Sequence, residues 1–337
     1  LNYALCARIV FTDGEIESMQ NNTTNSNETS LKIIDNLRKN LAIVIKGKDS
    51  VINDILIALL SGVNTLIEDV PGVGKTTLAK GLAKCINAEF RRIQFTPDLL
   101  PADILGSSIY NPKEGLFHFR EGPIFTNILL ADEINRASPR TQSSLLEAMS
   151  EKQVTIDGKT YPLSSFFMVI ATQNPIEFHG TYPLPEAQLD RFGISIEIGY
   201  PDAEHEMEVF YSQNTTHPLD SLESVADLKD MINLQEQVKL VTVSKPVAKY
   251  IIKIAEASRN NPDLKLGIST RGALLMYRLV QAKAFLEGRT YATPDDVKAM
   301  AVKALAHRIV PDTKARYSGI TKKQIIEDII AKEPVPT

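Results

Sequence analysis

The chain has no tryptophan and only two cysteines, Cys6 and Cys85, in 337 residues. Two thiols so far apart give no disulfide framework, so a reducing compartment is expected and the cytoplasm is the expected location. Charge of one sign is also scarce. Lys and Arg total 37 against 41 Asp and Glu, a formal net charge of −4. That balance speaks against a dedicated nucleic-acid coat, which would usually be basic, although not against a local basic patch. No apolar run approaches the ~20 residues that span a bilayer. Residues 166–171 form one of the longest and have the length of a buried strand. Leu1 to Phe11 shows no secretory cleavage pattern. The five histidines, His118, His179, His205, His217 and His307, share no metal-ligand spacing with cysteine.

What is present is ordinary for a soluble globular protein: 43% hydrophobic and 23% charged residues. At roughly 150 residues per domain the length predicts about two domains. A core of that size needs neither metal nor disulfide to fold. The first methionine is Met19. Two readings of the start stay open, a natural start at Met19 or a start other than methionine upstream. Gln20 to Ser30 is rich in Asn, Thr and Ser, so residues 1–29 are expected to form a disordered tail.

From Leu31 apolar residues recur at three- and four-residue steps (Ile33, Ile34, Leu37, Leu41, Val44), which predicts a helix. A second helix is expected from about Ser50 to Leu60. Short apolar strands follow at 65–70, 92–95, 128–131, 167–172 and 194–198. Being apolar on both faces, they fit a parallel sheet covered by helices. Two hairpins are expected between them. One joins 107–110 to 116–119, and the other joins 153–156 to 160–163 across Asp157-Gly158, a strong turn signal. After Tyr200-Pro201 only helices are expected, with a polar linker near 212–220. Thr293-Pro294-Asp295-Asp296 reads as a helix start. The expected organisation is an α/β core over 30–200, a helical lid domain over 201–330 and a short tail over 331–337.

Asp69-Val70-Pro71-Gly72-Val73-Gly74-Lys75-Thr76 follows a strand and opens a helix. It matches the phosphate-loop pattern G-x-x-x-x-G-K-[ST] except that Asp69 stands at the first Gly. Gly72 and Gly74 let backbone N–H groups turn toward phosphate oxygens. The helix behind them points its positive end at the same anion. Lys75 would reach the β and γ phosphates, and Thr76 would offer a hydroxyl to Mg²⁺. Pro71, Val73 and Thr77 complete the expected nucleotide-contacting set. Fifty-seven positions after Lys75, the run Ile128-Leu129-Leu130-Ala131 ends in Asp132-Glu133. A buried strand avoids charge, so the acids belong at its C-terminal end, where sheet ligands bind. Asp132 would hold Mg²⁺ through its water shell, and Glu133 would polarise the attacking water.

These motifs occur with EGPIF at 121–125, ADEINRA at 131–137, LLEAM at 145–149, ATQNP at 171–175 and GTYPLPEAQLDRF at 180–192. Together they resemble the MoxR family of AAA+ ATPases over about residues 31–330. In that family an Asp at the start of the phosphate loop is familiar. The resemblance implies a P-loop AAA+ core with a five-stranded parallel sheet and an all-α C-terminal lid. It implies that Asn174 is sensor 1, that Arg191 is an arginine finger acting on a neighbouring subunit, and that Arg271 is sensor 2. Thr270 stands where the family usually has Pro before that Arg. Ile45-Lys46-Gly47-Lys48 lies where this fold contacts adenine, which makes Gly47 a candidate nucleotide contact and ATP the expected nucleotide.

The family further implies a homo-oligomeric ring, a hexamer, and remodelling of a client protein, with von Willebrand factor A domain partners often involved. Two other readings stay open: a nucleic-acid motor of the related helicase group, and an ATPase subunit of a magnesium-chelatase-like enzyme. The hairpin tips carry Asn111, Lys113, Glu114, Asp157 and Lys159. Charge of both signs there does not favour gripping DNA.

Overall fold

The computed structural model describes residues 13–175, 181–212 and 218–336. Its elements run α1 (Asp13–Val44), α2 (Asp49–Ser61), β1 (Thr65–Glu68), α3 (Lys75–Cys85), β2 (Phe90–Gln94), α4 (Pro101–Leu105), β3 (Gly106–Asn111), β4 (Leu116–Glu121) and β5 (Ile128–Asp132). Then come α5 (Pro139–Glu151), β6 (Gln153–Ile156), β7 (Lys159–Pro162), β8 (Met168–Gln173), α6 (Glu186–Leu189), β9 (Ile194–Ile196) and α7 (Ala203–Ser212). The remainder is α8 (Leu228–Lys239), α9 (Lys245–Arg259), β10 (Leu264–Leu266), α10 (Thr270–Leu286), α11 (Pro294–Leu305), β11 (Val310–Pro311), α12 (Thr313–Tyr317) and α13 (Lys322–Lys332).

The central sheet has the order β2-β5-β8-β1-β9, and every pairing in it is parallel. Successive strand residues point to opposite faces. Ile67, Ile128, Leu130, Met168 and Ile170 therefore join one core with α1–α3 and the lid helices. Leu66, Leu129, Ala131, Val169 and Ala171 join the other, with α5. Both faces are covered, which is why the strands read as continuous apolar runs. The two hairpins stand outside this sheet as antiparallel pairs, β3 with β4 and β6 with β7. Asp157 and Gly158 both take positive φ at the second turn, as a two-residue hairpin requires.

The helix expected from Leu31 is α1, whose bounds are Asp13–Val44, and a tail was expected over residues 1–29. Residues 1–12 lie outside the described residues. Ile34, Leu37 and Leu41 bury one end of α1. The lid domain also has strands. β10 and β11 pair antiparallel and tie the loop before α10 to the segment after α11. Each is too short to show a period in sequence. Of the linker expected near 212–220, residues 213–217 lie outside the described residues.

Candidate active site

The phosphate loop leaves the C-terminal end of β1. Gly72 and Gly74 take φ of +87° and +93°, a region that favours glycine. Nothing lies within 4 Å of where a Cβ on Gly72 would stand, so the space above the loop is open. α3 begins at Lys75 with no acidic residue in its first turn. The free N–H groups of Lys75, Thr76 and Thr77 therefore face an anion site at the positive end of the helix. Lys75 Nζ donates to the Asp69 carbonyl at 2.6 Å. Burial pulls the Lys75 pKa down, and the carboxylates of Asp69, Asp132 and Glu133 oppose that shift. The fold thus brings the lysine and both strand-end acids into one electrostatic site.

The Asp69 carboxylate holds the phosphate loop in place. Its Oδ1 accepts the Val70 amide at 2.8 Å, and its Oδ2 accepts the Ile198 and Gly199 amides at 2.6 Å each. It clamps the phosphate loop to the segment that follows β9. A glycine there could not make the clamp.

The acid pair is held by residues that the motif reading missed. Thr172 Oγ1 donates to Asp132 Oδ1 at 2.6 Å and accepts the Glu133 amide at 2.9 Å. Arg92 Nη2 reaches Asp132 Oδ2 at 2.6 Å and Gln94 Oε1 at 2.7 Å. Gln94 Nε2 donates to Glu133 Oε2 at 2.6 Å, and Arg136 Nη1 lies 3.0 Å from the same oxygen. Arg92 and Gln94 are two residues apart on the edge strand β2, so both face the acids. That alternation is the sequence signal which could have marked them. Glu133 itself takes φ +57°, an uncommon backbone conformation for a residue with a side chain.

Asn174 is buried just past the end of β8. β8 lies between β5 and β1, so Asn174 stands between the acids and the phosphate loop. It also lines a second cleft with Glu68, Asn135, His307 and Lys322. Gly180, part of the family motif that leads to Arg191, lies outside the described residues.

Arg191 and Arg271 form a separate corner. Gly193 N donates to Asn64 O at 2.8 Å, so the turn after Arg191 sits beside the start of β1. The phosphate loop begins five residues later, beyond the other end of that strand. At ~3.3 Å per strand residue the two are about 16 Å apart, beyond the reach of an arginine side chain. Asp190 does not pair with Arg191. Its carboxylate accepts Ser269 Oγ at 2.9 Å and faces Arg308 Nη1 at 2.6 Å. Ser269 caps α10, so Arg271 in the first turn of that helix belongs to the same corner. Arg271, expected as sensor 2, thus stands at the start of α10 beside the turn that carries Arg191. Arg308 closes the same corner. It is buried and donates to the carbonyls of Asp190 and Phe192. This frees Arg191, whose Nε is buried without a hydrogen-bond partner.

Beside the phosphate loop lies a cleft of about 200 Å³ lined by Ile43, Ile45, Val73, Ile198, Pro201 and Val209. These apolar side chains suit a nucleobase, and Lys46, Lys48 and Thr77 share the wall. Gly47 lies between Lys46 and Lys48, which both line the cleft. A Cβ at Gly47 would stand 2.6 Å from the His205 ring, so glycine there admits α7 against the cleft.

A parallel sheet with a glycine-bent phosphate loop, a half-buried lysine, two acids at the adjoining strand end and a helical lid defines a P-loop ATPase. Comparison with known proteins agrees. Residues 64–194 match the model of the ATPase family associated with various cellular activities (AAA), and residues 256–329 match the AAA lid domain. The chain is 47% identical over 293 residues to YeaC of Bacillus subtilis, an uncharacterized protein, spanning 87% of this chain and 92% of that one. It is 38% identical over 302 residues to Chaperone MoxR1 of Mycobacterium tuberculosis, spanning 87% of this chain and 80% of that one. A crystal structure of a candidate ATPase from Cytophaga hutchinsonii superposes with a TM-score of 0.88 at 39% identity, covering 95% of this chain and 99% of that one. The chain belongs to the MoxR family of AAA+ ATPases, and its chemistry is ATP hydrolysis.

Proposed function

We propose that the protein hydrolyses MgATP at sites completed between subunits of a ring, a hexamer, and couples that hydrolysis to remodelling of a client protein. One observation carries the reading. The turn that carries Arg191 lies about 16 Å from its own phosphate loop along β1, which supports a role for Arg191, with Arg271 in the same corner, at the site of another copy. There they would neutralise charge that develops on the γ-phosphate. Arginine fingers are worth on the order of 10³–10⁵ in rate in other NTPases.

The residues present fit MgATP. Gly72 leaves open space for phosphate, Lys75 is a partly desolvated cation, and Asp132 turns its carboxylate toward the same site. Thr76 and Asp132 would hold Mg²⁺, which supplies charge neutralisation at the phosphates when bound. Glu133 would accept a proton from water held by Asn174, with Thr172, Gln94 and Arg136 fixing its position.

A protein client is favoured over nucleic acid by the β3–β4 hairpin. Its exposed side chains include Ile109, Tyr110, Leu116 and Phe117, an apolar surface rather than a basic one. The relative named Chaperone MoxR1 supports a chaperone-type role. A von Willebrand factor A domain protein is a candidate client, and the cytoplasm the proposed location. No helix among the described residues is long and apolar enough to cross a membrane.

Mixing tests the reading. Arg191→Ala and Glu133→Gln chains should each be nearly inactive alone. Their mixture should recover hydrolysis at interfaces where an intact Glu133 meets an intact Arg191. Mixed oligomers with no recovered activity would overturn the shared site.

A further inference from the structure

α7 is the least covered helix beside the nucleotide cleft. Between Asp202 and Tyr211 only His205 and Val209 are turned inward, one helical turn apart. Met207, Phe210 and Tyr211 are 54%, 63% and 69% exposed. A ten-residue helix is too short to be stable alone in water, so a contact on its outer face would add to what holds it. Four carboxylates lie in this segment. Asp202 faces His205 and Glu208 faces Lys46, while Glu204 and Glu206 have no ion-pair partner among the described residues.

α10 presents the opposite pattern. Arg271, Leu274 and Arg278 are exposed at i, i+3 and i+7, which places them on one face. Leu274 is 53% exposed. Neither arginine has a carboxylate partner among the described residues. A body that brings Arg271 to a nucleotide brings this whole stripe with it, because Arg278 lies only about 10 Å further along the helix. Val209 places α7 at the wall of the cleft that holds the base. Whatever closes on the nucleotide therefore meets α7 as well.

We infer that α7 of one copy docks against the α10 stripe of the next. Leu274 packs among Met207, Phe210 and Tyr211, and Arg278 faces Glu204 and Glu206. The occupant of the apolar α7 face is thus a second copy of this chain. The inference rests on the shared site proposed above and adds a contact outside the chemistry. It makes α7 the element through which a bound base and a docked neighbour sense each other.

Charge exchange tests it. Arg278→Glu and the double change Glu204→Lys with Glu206→Lys are made separately and then combined, in the full chain carrying Glu133→Gln with ATP present. By sedimentation velocity each exchange alone should weaken assembly about tenfold or more, and the combination should recover it. Unchanged assembly in the single exchanges, or no recovery in the combination, would overturn the contact. A second readout uses Met207→Cys in one chain and Leu274→Cys in another, both with Cys6→Ser. On mixing and oxidation with diamide, a disulfide-linked dimer should form in the mixture and in neither chain alone; its absence counts against the contact. If the Arg191→Ala and Glu133→Gln mixture recovers hydrolysis while the exchanges do nothing, this contact fails and the shared site stands. If that mixture does not recover, the shared site fails and the contact falls with it.

Discussion

Arg308, in the lid, holds Asp190, in the core: Nη1 lies 2.6 Å from Oδ1 and 2.7 Å from the Asp190 carbonyl. Both partners are largely shielded from water, and the pair joins the lid to the turn that carries Arg191. Removing the cation leaves a shielded carboxylate without its partner. Arg308→Ala should cost about 3–5 kcal/mol of stability in urea unfolding. Arg308→Lys should recover only part, because an ammonium cannot reproduce the guanidinium fork. Hydrolysis should fall in both, through displacement of Arg191.

Asp69 accepts amides from two segments, so restoring the usual glycine there should harm the loop. Asp69→Gly should raise the ATP dissociation constant about tenfold, measured by fluorescent-nucleotide titration, because the amides of Val70, Ile198 and Gly199 lose their acceptor, at roughly 1–3 kcal/mol for a buried one. Affinity equal to the parent's would show that the clamp does not shape the loop.

Gln94 presents an amide donor to Glu133. Gln94→Glu replaces that donor with a like charge and should push Glu133 out of place. The expected result is a kcat lowered about tenfold or more with ATP affinity nearly unchanged. Gln94→Ala should have a smaller effect, since Arg136 still holds Glu133. A change in affinity as large as that in kcat would place Gln94 in binding instead.

His307 is fully buried, with Nε2 3.1 Å from the Phe192 carbonyl. Burial, and then the neighbouring Arg308 cation, push its pKa well below the ordinary 6.5. Below about pH 6.5 the unfolded chain takes up a proton here that the folded chain refuses. Stability should therefore fall as pH drops from that point, by up to about 1.4 kcal/mol per pH unit from this group, and level off below the folded pKa. His307→Gln should flatten the slope between pH 7 and 5.5 in urea unfolding. A slope identical to the parent's would show that His307 takes up its proton in the folded state as well.

What could be read in the sequence was whatever is written locally. The five sheet strands show as apolar runs, because a strand buried on both faces must be apolar throughout. The phosphate loop shows because its glycines, lysine and threonine sit at fixed offsets along one turn. Asp132 and Glu133 show because two adjacent charges interrupt such a strand only at its end. What could not be read depends on segments far apart in the chain meeting in space. Nothing local says that Asp69 will meet the amides of Ile198 and Gly199, or that β2 will place Gln94 against Glu133. Nothing near Asp190 announces that its partner is Arg308 rather than Arg191. Those pairings follow from the strand order and from the lid folding back on the β9 edge. The sequence by itself determined which chemistry the chain carries. The tertiary structure decided where each charge stands, and it alone put the turn that carries Arg191 at the end of β1 away from the phosphate loop, because the two ends of a parallel strand lie a fixed distance apart.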